Sequence, residues 1–403
     1  MEKRYETLDR IIEYGIYLYI FLTFLAKGEG IRNILIFGNF ALWLFTLKHR
    51  KNLYLLKKPV SKWLWIWLGV APFAVIFSID PLYSLMDLKR ELLKVGLLFP
   101  VISTVMADGE RLKKALFVCY VTAILIVGAG FYSYGTQEME MLKPDTLLVH
   151  IWHNRFARYL CMLLPFSFVL YHTWKGAASR TILTVSLVVF VLALVLSTSR
   201  GGLAGFASIM FIWSLYLSRK KGYNLKKIMA YLIIVPLVIG ILAYWSVPDV
   251  KTRIDNLTRD LHTFNERTVL WKAAVYAIVN RPVTGWGYGD DLFHRDEPFK
   301  ETILKKALPT DKNQHNMFLE ILFHQGIIGF IPYLLLVLIA IKVFWTEALR
   351  ATGLKSYMLI ACASIILGNY VVHSMLTSVE MTHLAVVLGL GMAASGTNES
   401  SHN

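Results

Sequence analysis

Charge is sparse in this 403-residue sequence: Asp, Glu, Lys and Arg make up 17% of it, against roughly 25% in soluble domains. A chain of this length could hold two or three soluble domains. The hydrophobic share of 56% and the mean hydropathy of +0.52 exclude that organisation. Cysteine is also scarce. Cys119, Cys161 and Cys362 all fall in apolar stretches without metal-ligand spacing, which excludes a disulfide framework and leaves them as small core residues. The sequence has no G-x-x-x-x-G-K-[ST] loop, no G-x-G-x-x-G followed by a βαβ pattern and no H-E-x-x-H helix. It also lacks a repeat of 20–50 residues. No acidic pair lies inside an apolar run to suggest proton coupling, Glu13 and Asp87 being near the ends of theirs.

Long apolar runs are what the sequence does have. They cover about 11–26, 34–47, 63–79, 95–107, 116–132, 156–171, 182–197, 203–217, 228–245, 327–345, 357–373 and 383–394. Twelve spans of ~20 residues would use ~240 residues, since a helix rises ~1.5 Å per residue across a ~30 Å hydrocarbon core. The expected fold is an all-α polytopic membrane protein with about twelve transmembrane helices and one large helical loop. Residues 1–245 would carry helices 1–9, residues 246–317 the loop, and residues 318–403 helices 10–12 with a tail. The first run lacks an A-x-A cleavage site and is expected to remain as a span.

The formal charge of +15 would suggest nucleic acid in a soluble protein. In a membrane protein it is read as topology, and no nucleic-acid partner is expected. With the N-terminus inside, short cytoplasmic segments hold about 21 Lys and Arg and short outward ones about 9. Both termini are therefore expected in the cytoplasm, with the long loop outside. That loop carries 11 basic and 10 acidic side chains, so it is no general basic patch, and loops of this length tend to be functional. Within it, Asn265-Glu266-Arg267-Thr268 is expected to open an amphipathic helix with Trp271, Val275 and Ile278 at helical spacing. Pro282 would end it, Gly285-Trp286-Gly287-Tyr288-Gly289 would turn, and a second helix would run from near Gln314 to Gly326.

Three polar sites share the outward side. Ser197-Thr198-Ser199-Arg200-Gly201-Gly202 breaks two apolar runs abruptly. An arginine there either turns to a cavity or partner or snorkels to the headgroups. Arg267, placed in the first turn of the loop helix, would sit where free N–H groups favour an anion; a surface pair with Glu266 is the alternative. Gln314-His315-Asn316 lies where the chain re-enters the membrane. Its imidazole can take a proton near neutral pH and its asparagine can orient a polar substrate, or the histidine is simply interfacial. Lys89 and Arg90 are further outward cations on an interfacial stretch, for which snorkelling to the membrane lipids is the simpler reading.

In this order, Ser197–Gly202, Asn265-Glu-Arg-Thr-Val-Leu-Trp, Pro282 with Gly285-Trp-Gly, His315-Asn-Met-Phe-Leu-Glu and Gly326-Ile-Ile-Gly329 resemble the O-antigen ligase and polymerase superfamily of bacterial envelopes. The resemblance implies a glycosyltransferase of the inner membrane with a periplasmic loop. Its donor would be a glycan on undecaprenyl diphosphate, its acceptor the lipid A–core, and no metal or nucleotide cofactor would be required. Arg200 and Arg267 match arginines implied to hold the donor diphosphate. His315 matches a histidine implied to act as base or to position the acceptor, beside Asn316. Length and architecture resemble the ligases, while polymerases overlap in size and motifs. A transporter or flippase fits less well, because no inverted repeat or matched pair of broken helices occurs.

Overall fold

The computed structural model describes residues 2–25, 28–136, 142–146, 149–246, 251, 261–289, 292–295 and 314–397. Each of the twelve apolar runs falls on a helix. In chain order the helices are α1 (Glu2–Thr23), α2 (Glu29–Thr46), α3 (Pro59–Ile76), α4 (Pro81–Val105), α5 (Gly109–Thr136), α6 (His153–Thr173) and α7 (Ala177–Leu196). There follow α8 (Arg200–Lys221), α9 (Leu225–Ser246), α10 (Leu261–Asn280), α11 (Met317–Arg350), α12 (Gly353–Ile365) and α13 (Met381–Gly396). The α12 helix continues as a π-helical stretch, Ile366–Val372, and a 3-10 turn, His373–Met375. Among the described residues there is no strand, only an isolated bridge between Asp145 and His150.

Seven helices among the described residues are long and apolar enough to cross a membrane: α2, α3, α5, α7, α8, α11, and α12 with its continuation. The protein is thus a helical membrane protein. Its outer helices present large apolar side chains to the surroundings, among them Ile34 at 72% exposure, Phe45 at 74% and Ile76 at 68%. Water would penalise that surface, and hydrocarbon does not. The centre is made of α13, α12, α6 and the second half of α4, whose side chains are almost all buried. α13 packs along α4, α11 along α3, and α12 against α6 and α8.

Polar contacts sort the connecting segments into two ends. Asp9 of α1 meets Arg50 at 2.7 Å and also Arg111; Glu13 meets Arg111 at 3.1 Å. Lys58 reaches Glu347 at 3.6 Å, and Lys220 donates to the carbonyl of Leu349 at 2.6 Å. The segments richest in lysine and arginine therefore gather at one end of the bundle. At the other end lie the Ser197–Gly202 turn, the start of α6 and the start of α13.

α10 is the helix expected inside the long loop. It buries Leu270, Ala273, Ala274 and Ala277 against Phe323 and Trp286, and the three alanines let it lie close to the first part of α11. The following turn is pinned by its backbone: Trp286 N–H donates to the Phe323 carbonyl at 2.8 Å and Gly287 N–H to that of His324 at 3.2 Å. Ile327 N–H donates to the Pro282 carbonyl at 2.8 Å. These bonds are possible because α11 breaks at Gly326, at φ 59° and ψ −162°. That conformation is essentially restricted to glycine. The break falls where the sequence places the end of the second loop helix. Asn316 caps that helix, so it starts at Met317, slightly later than expected.

Candidate functional site

The turn between α7 and α8 is only three residues long. Ser197 is buried and donates to the Leu194 carbonyl at 2.6 Å. Ser199 is the N-cap of α8: its Oγ accepts from Gly202 N–H at 3.2 Å and donates to Asn154 Oδ1 of α6 at 2.8 Å. Arg200 is consequently the first residue of α8, exposed at the helix N-terminus. Behind it Gly201 faces His373. A Cβ at Gly201 would lie 2.7 Å from the imidazole Cδ2, so only glycine lets the turn close on that 3-10 segment.

Arg267 is half-buried on α10. Its position corrects one expectation: α10 begins at Leu261, so Arg267 stands beyond the first turn and the free N–H groups do not surround it. The helix N-terminus belongs to Arg200 instead. The two arginines nonetheless lie within reach of one another's charge. Burial lowers the Arg267 pKa from its usual range, and the positive charge of Arg200 lowers it further. Among the described residues Arg267 makes no ion pair; the side chain of Glu266 lies outside the described residues.

His315 is tied to the same helix. One turn after Arg267, the indole Nε1 of Trp271 donates to the Gln314 carbonyl at 3.0 Å. Gln314 is buried and His315 half-buried. Asn316 uses its Oδ1 to accept from Phe318 N–H at 3.0 Å and Leu319 N–H at 3.2 Å. That acceptor builds the helix start, which leaves the amide NH2 as the group that Asn316 could offer to a substrate.

The backbone singles out the same segments. Thr198 at φ 54° and His315 at φ 49° are the two described residues other than glycine with positive φ. The left-handed conformation costs roughly 1–2 kcal/mol for an L-residue, and a β-branched threonine is a clear outlier. Such strain persists where the surroundings over-determine it, and it clusters at functional sites. One outlier immediately precedes the Ser199-Arg200 start of α8; the other is the histidine itself.

Lys89 and Arg90 are exposed on α4. They part company: Arg90 lines a cavity of about 320 Å³ with Arg32, Lys94 and Arg155, whereas Lys89 does not. Beside this cavity is a network that was not singled out from sequence. Glu380, the N-cap residue of α13, meets Arg155 at 3.3 Å, Arg158 at 3.4 Å and His383 at 3.2 Å. Burial alone would raise the Glu380 carboxyl, but His383 and the arginines outweigh it and hold it at about 2. Ser378 joins this network to the candidate site, because its carbonyl accepts from Arg158 and its hydroxyl donates to Glu320 in the first turn of α11. The signal available was Arg158, a cation inside the apolar run 156–171.

Compared with known proteins, residues 185–334 match the family model described as O-antigen ligase. The match supports assigning the chain to the O-antigen ligase family, which covers both ligases and polymerases. Arg200, Arg267 and His315 all fall inside the matched region; Lys89, Arg90 and the Glu380 network fall outside it. No curated protein matches the chain.

Proposed function

Given that residues 185–334 match the O-antigen ligase family, we propose that the protein is an O-antigen ligase. It transfers a polysaccharide from undecaprenyl diphosphate to the lipid A–core of lipopolysaccharide, as a GT-C-like glycosyltransferase that uses neither metal nor nucleotide. It sits in the bacterial inner membrane with twelve spans, both termini cytoplasmic, and the candidate site on the periplasmic side with the 246–317 loop.

The observation that carries this reading is the convergence on α10: Arg267 lies one turn before Trp271, whose indole holds the carbonyl of Gln314 next to His315, and the charge of Arg200 reaches Arg267. Two guanidinium groups in one another's field repel, and a diphosphate between them turns the repulsion into attraction. In the reaction an acceptor sugar hydroxyl attacks the anomeric carbon. The bond from that carbon to the diphosphate oxygen breaks, and its electron pair leaves with the diphosphate. Charge grows on the leaving group at the transition state, where fixed cations stabilise it more than in the ground state. His315 accepts the hydroxyl proton as general base, and Asn316 beside it orients the acceptor. Single displacement inverts the anomeric centre.

The lipopolysaccharide profile of a deletion strain tests the reading. Unsubstituted core with accumulated lipid-linked polymer is the expected result. Core bearing a single repeat would assign the chain to polymerisation instead, and an unchanged profile would remove both.

A further inference from the structure

The cavity lined by Arg90 has a charge balance that the transfer reading does not use. Four cations, Arg32, Arg90, Lys94 and Arg155, face Glu29, Glu91 and Glu380. The carboxylates are already engaged. Glu380 is shared among Arg155, Arg158 and His383. Glu91 accepts from the Tyr288 hydroxyl at 2.9 Å. Glu29 meets Lys94 at 3.5 Å, but its side chain is 54% exposed, so solvent screens that pair to little value. Arg32 donates to the Leu22 and Leu25 carbonyls at 3.2 and 2.6 Å, closing the end of α1. Among the described residues Arg90 makes no ion pair. The cavity therefore holds an excess of positive charge around a guanidinium and an ammonium that lack full partners.

Its place in the fold is specific. Arg155 on its wall follows Asn154, whose amide oxygen accepts from Ser199 Oγ, the cap of the helix that begins with Arg200. The first turn of α6 thus has the cavity on one side and the arginine turn on the other. A volume of about 320 Å³ is near the small end of the roughly 300–1,000 Å³ range of ligand pockets. It suits one sugar unit with an anionic group, not an oligosaccharide.

We propose that this cavity binds a phosphate group carried by the glycolipid acceptor, anchoring the acceptor beside the donor site. The proposal rests on the transfer reading above and deepens it: Arg90, Lys94 and Arg155 hold the phosphate by charge-assisted hydrogen bonds. Binding energy gained at a phosphate remote from the reacting hydroxyl then goes into orientation.

The test uses the full chain in phosphatidylcholine nanodiscs, with lipid A–core acceptor either phosphorylated or dephosphorylated by phosphatase. Equilibrium binding of each acceptor is measured without donor, and the acceptor KM is measured in transfer. The phosphorylated form is expected to bind about 10-fold more tightly or better, the lower value of one hydrogen bond to charge. In the R90Q/K94Q variant that ratio should fall close to one. Equal affinity of wild type for the two acceptors would overturn the proposal, as would a ratio untouched by the variant. A rise confined to donor KM would overturn it too, assigning the cavity to the donor. Repeating the binding in phosphatidylglycerol nanodiscs separates the sources of phosphate: tight acceptor binding should persist, and its abolition by the anionic lipid would mean that the cavity is a headgroup site. Because binding is read without donor, absence of transfer with an intact, variant-sensitive ratio would contradict the transfer reading and leave this one standing.

Discussion

The indole Nε1 of Trp271 donates a 3.0 Å hydrogen bond to the carbonyl oxygen of Gln314. It joins the helix that carries Arg267 to the residue before His315, so the cation and the imidazole are held by one contact between distant parts of the loop. Trp271→Phe keeps a ring of similar shape and removes the donor. Losing a hydrogen bond of this kind costs roughly 0.5–1.5 kcal/mol, up to about 10-fold. Turnover should fall by about that factor while donor affinity, proposed to depend on Arg200 and Arg267, holds. Separate binding and transfer assays check this; equal losses in both would show that Trp271 serves the donor site.

Orientation is open to direct labelling. The three native cysteines are buried, so background reaction with a membrane-impermeant thiol reagent should be low. Cysteine at Tyr223, in the exposed turn after α8, is expected to stay unlabelled in intact spheroplasts, and cysteine at exposed Asn280 to react. The opposite pattern would invert the protein in the membrane and place the candidate site in the cytoplasm.

The joint at Gly326 should tolerate little. A Cβ there would fall inside the contact distance of the Val283 carbonyl oxygen, and the backbone occupies a glycine-only region. Conformational strain and overpacking together give a loss of about 3 kcal/mol for Gly326→Ala. The expected readout is a lowered unfolding midpoint in detergent, with the 261–289 segment more open to protease. An unchanged midpoint would mean that α11 can straighten without losing the docked turn.

Much of this arrangement was legible in the sequence because each signal was local. Apolar runs marked helices, and Pro282 with the Gly285–Gly289 run marked the turn. The polar hexapeptide spanning the start of α8 marked a joint too short to hide Arg200. What was not legible depends on contacts across the chain. The start of α10 at Leu261 moved Arg267 out of the first turn, since Asp260 and Asn265 are equally good cap residues in composition and nothing local chooses between them. The capping role of Asn316 was not legible either: its Oδ1 is taken by two backbone N–H groups, which leaves only its amide NH2 for the proposed acceptor role. Arg158 and Glu380 are 222 residues apart, and no spacing rule pairs them.

That last pair supports a stability prediction. Glu380→Gln keeps the shape and removes the charge facing Arg155, Arg158 and His383. Breaking a fully buried pair costs roughly 3–5 kcal/mol. The Glu380 side chain is 36% exposed, so solvent screening reduces the expected loss to about 1–3 kcal/mol. The same logic fixes the pH dependence. The carboxyl is depressed to about 2, so its stabilisation is complete above the ordinary carboxylate range and is lost as pH falls toward about 2. Unfolding midpoints of wild type and variant should therefore converge on acidification. A constant gap from pH 7 downward would mean that charge at Glu380 is not what stabilises the turn.

The division of labour between the arginines and the histidine is tested most directly by measuring donor binding and transfer separately. Purified protein in lipid is given labelled undecaprenyl-diphosphate glycan, as wild type and as Arg200→Ala, Arg267→Ala, Arg267→Lys, His315→Ala and His315→Gln. Both alanine variants at the arginines should lose donor affinity. Arg267→Lys should restore only part of it, because an ammonium cannot bind phosphate oxygens as a fork. His315→Ala should abolish turnover with donor affinity nearly intact, and activity in His315→Gln would assign positioning rather than proton transfer. Normal donor binding by both arginine variants, or loss of donor affinity in proportion to rate in His315→Ala, would contradict the assignment.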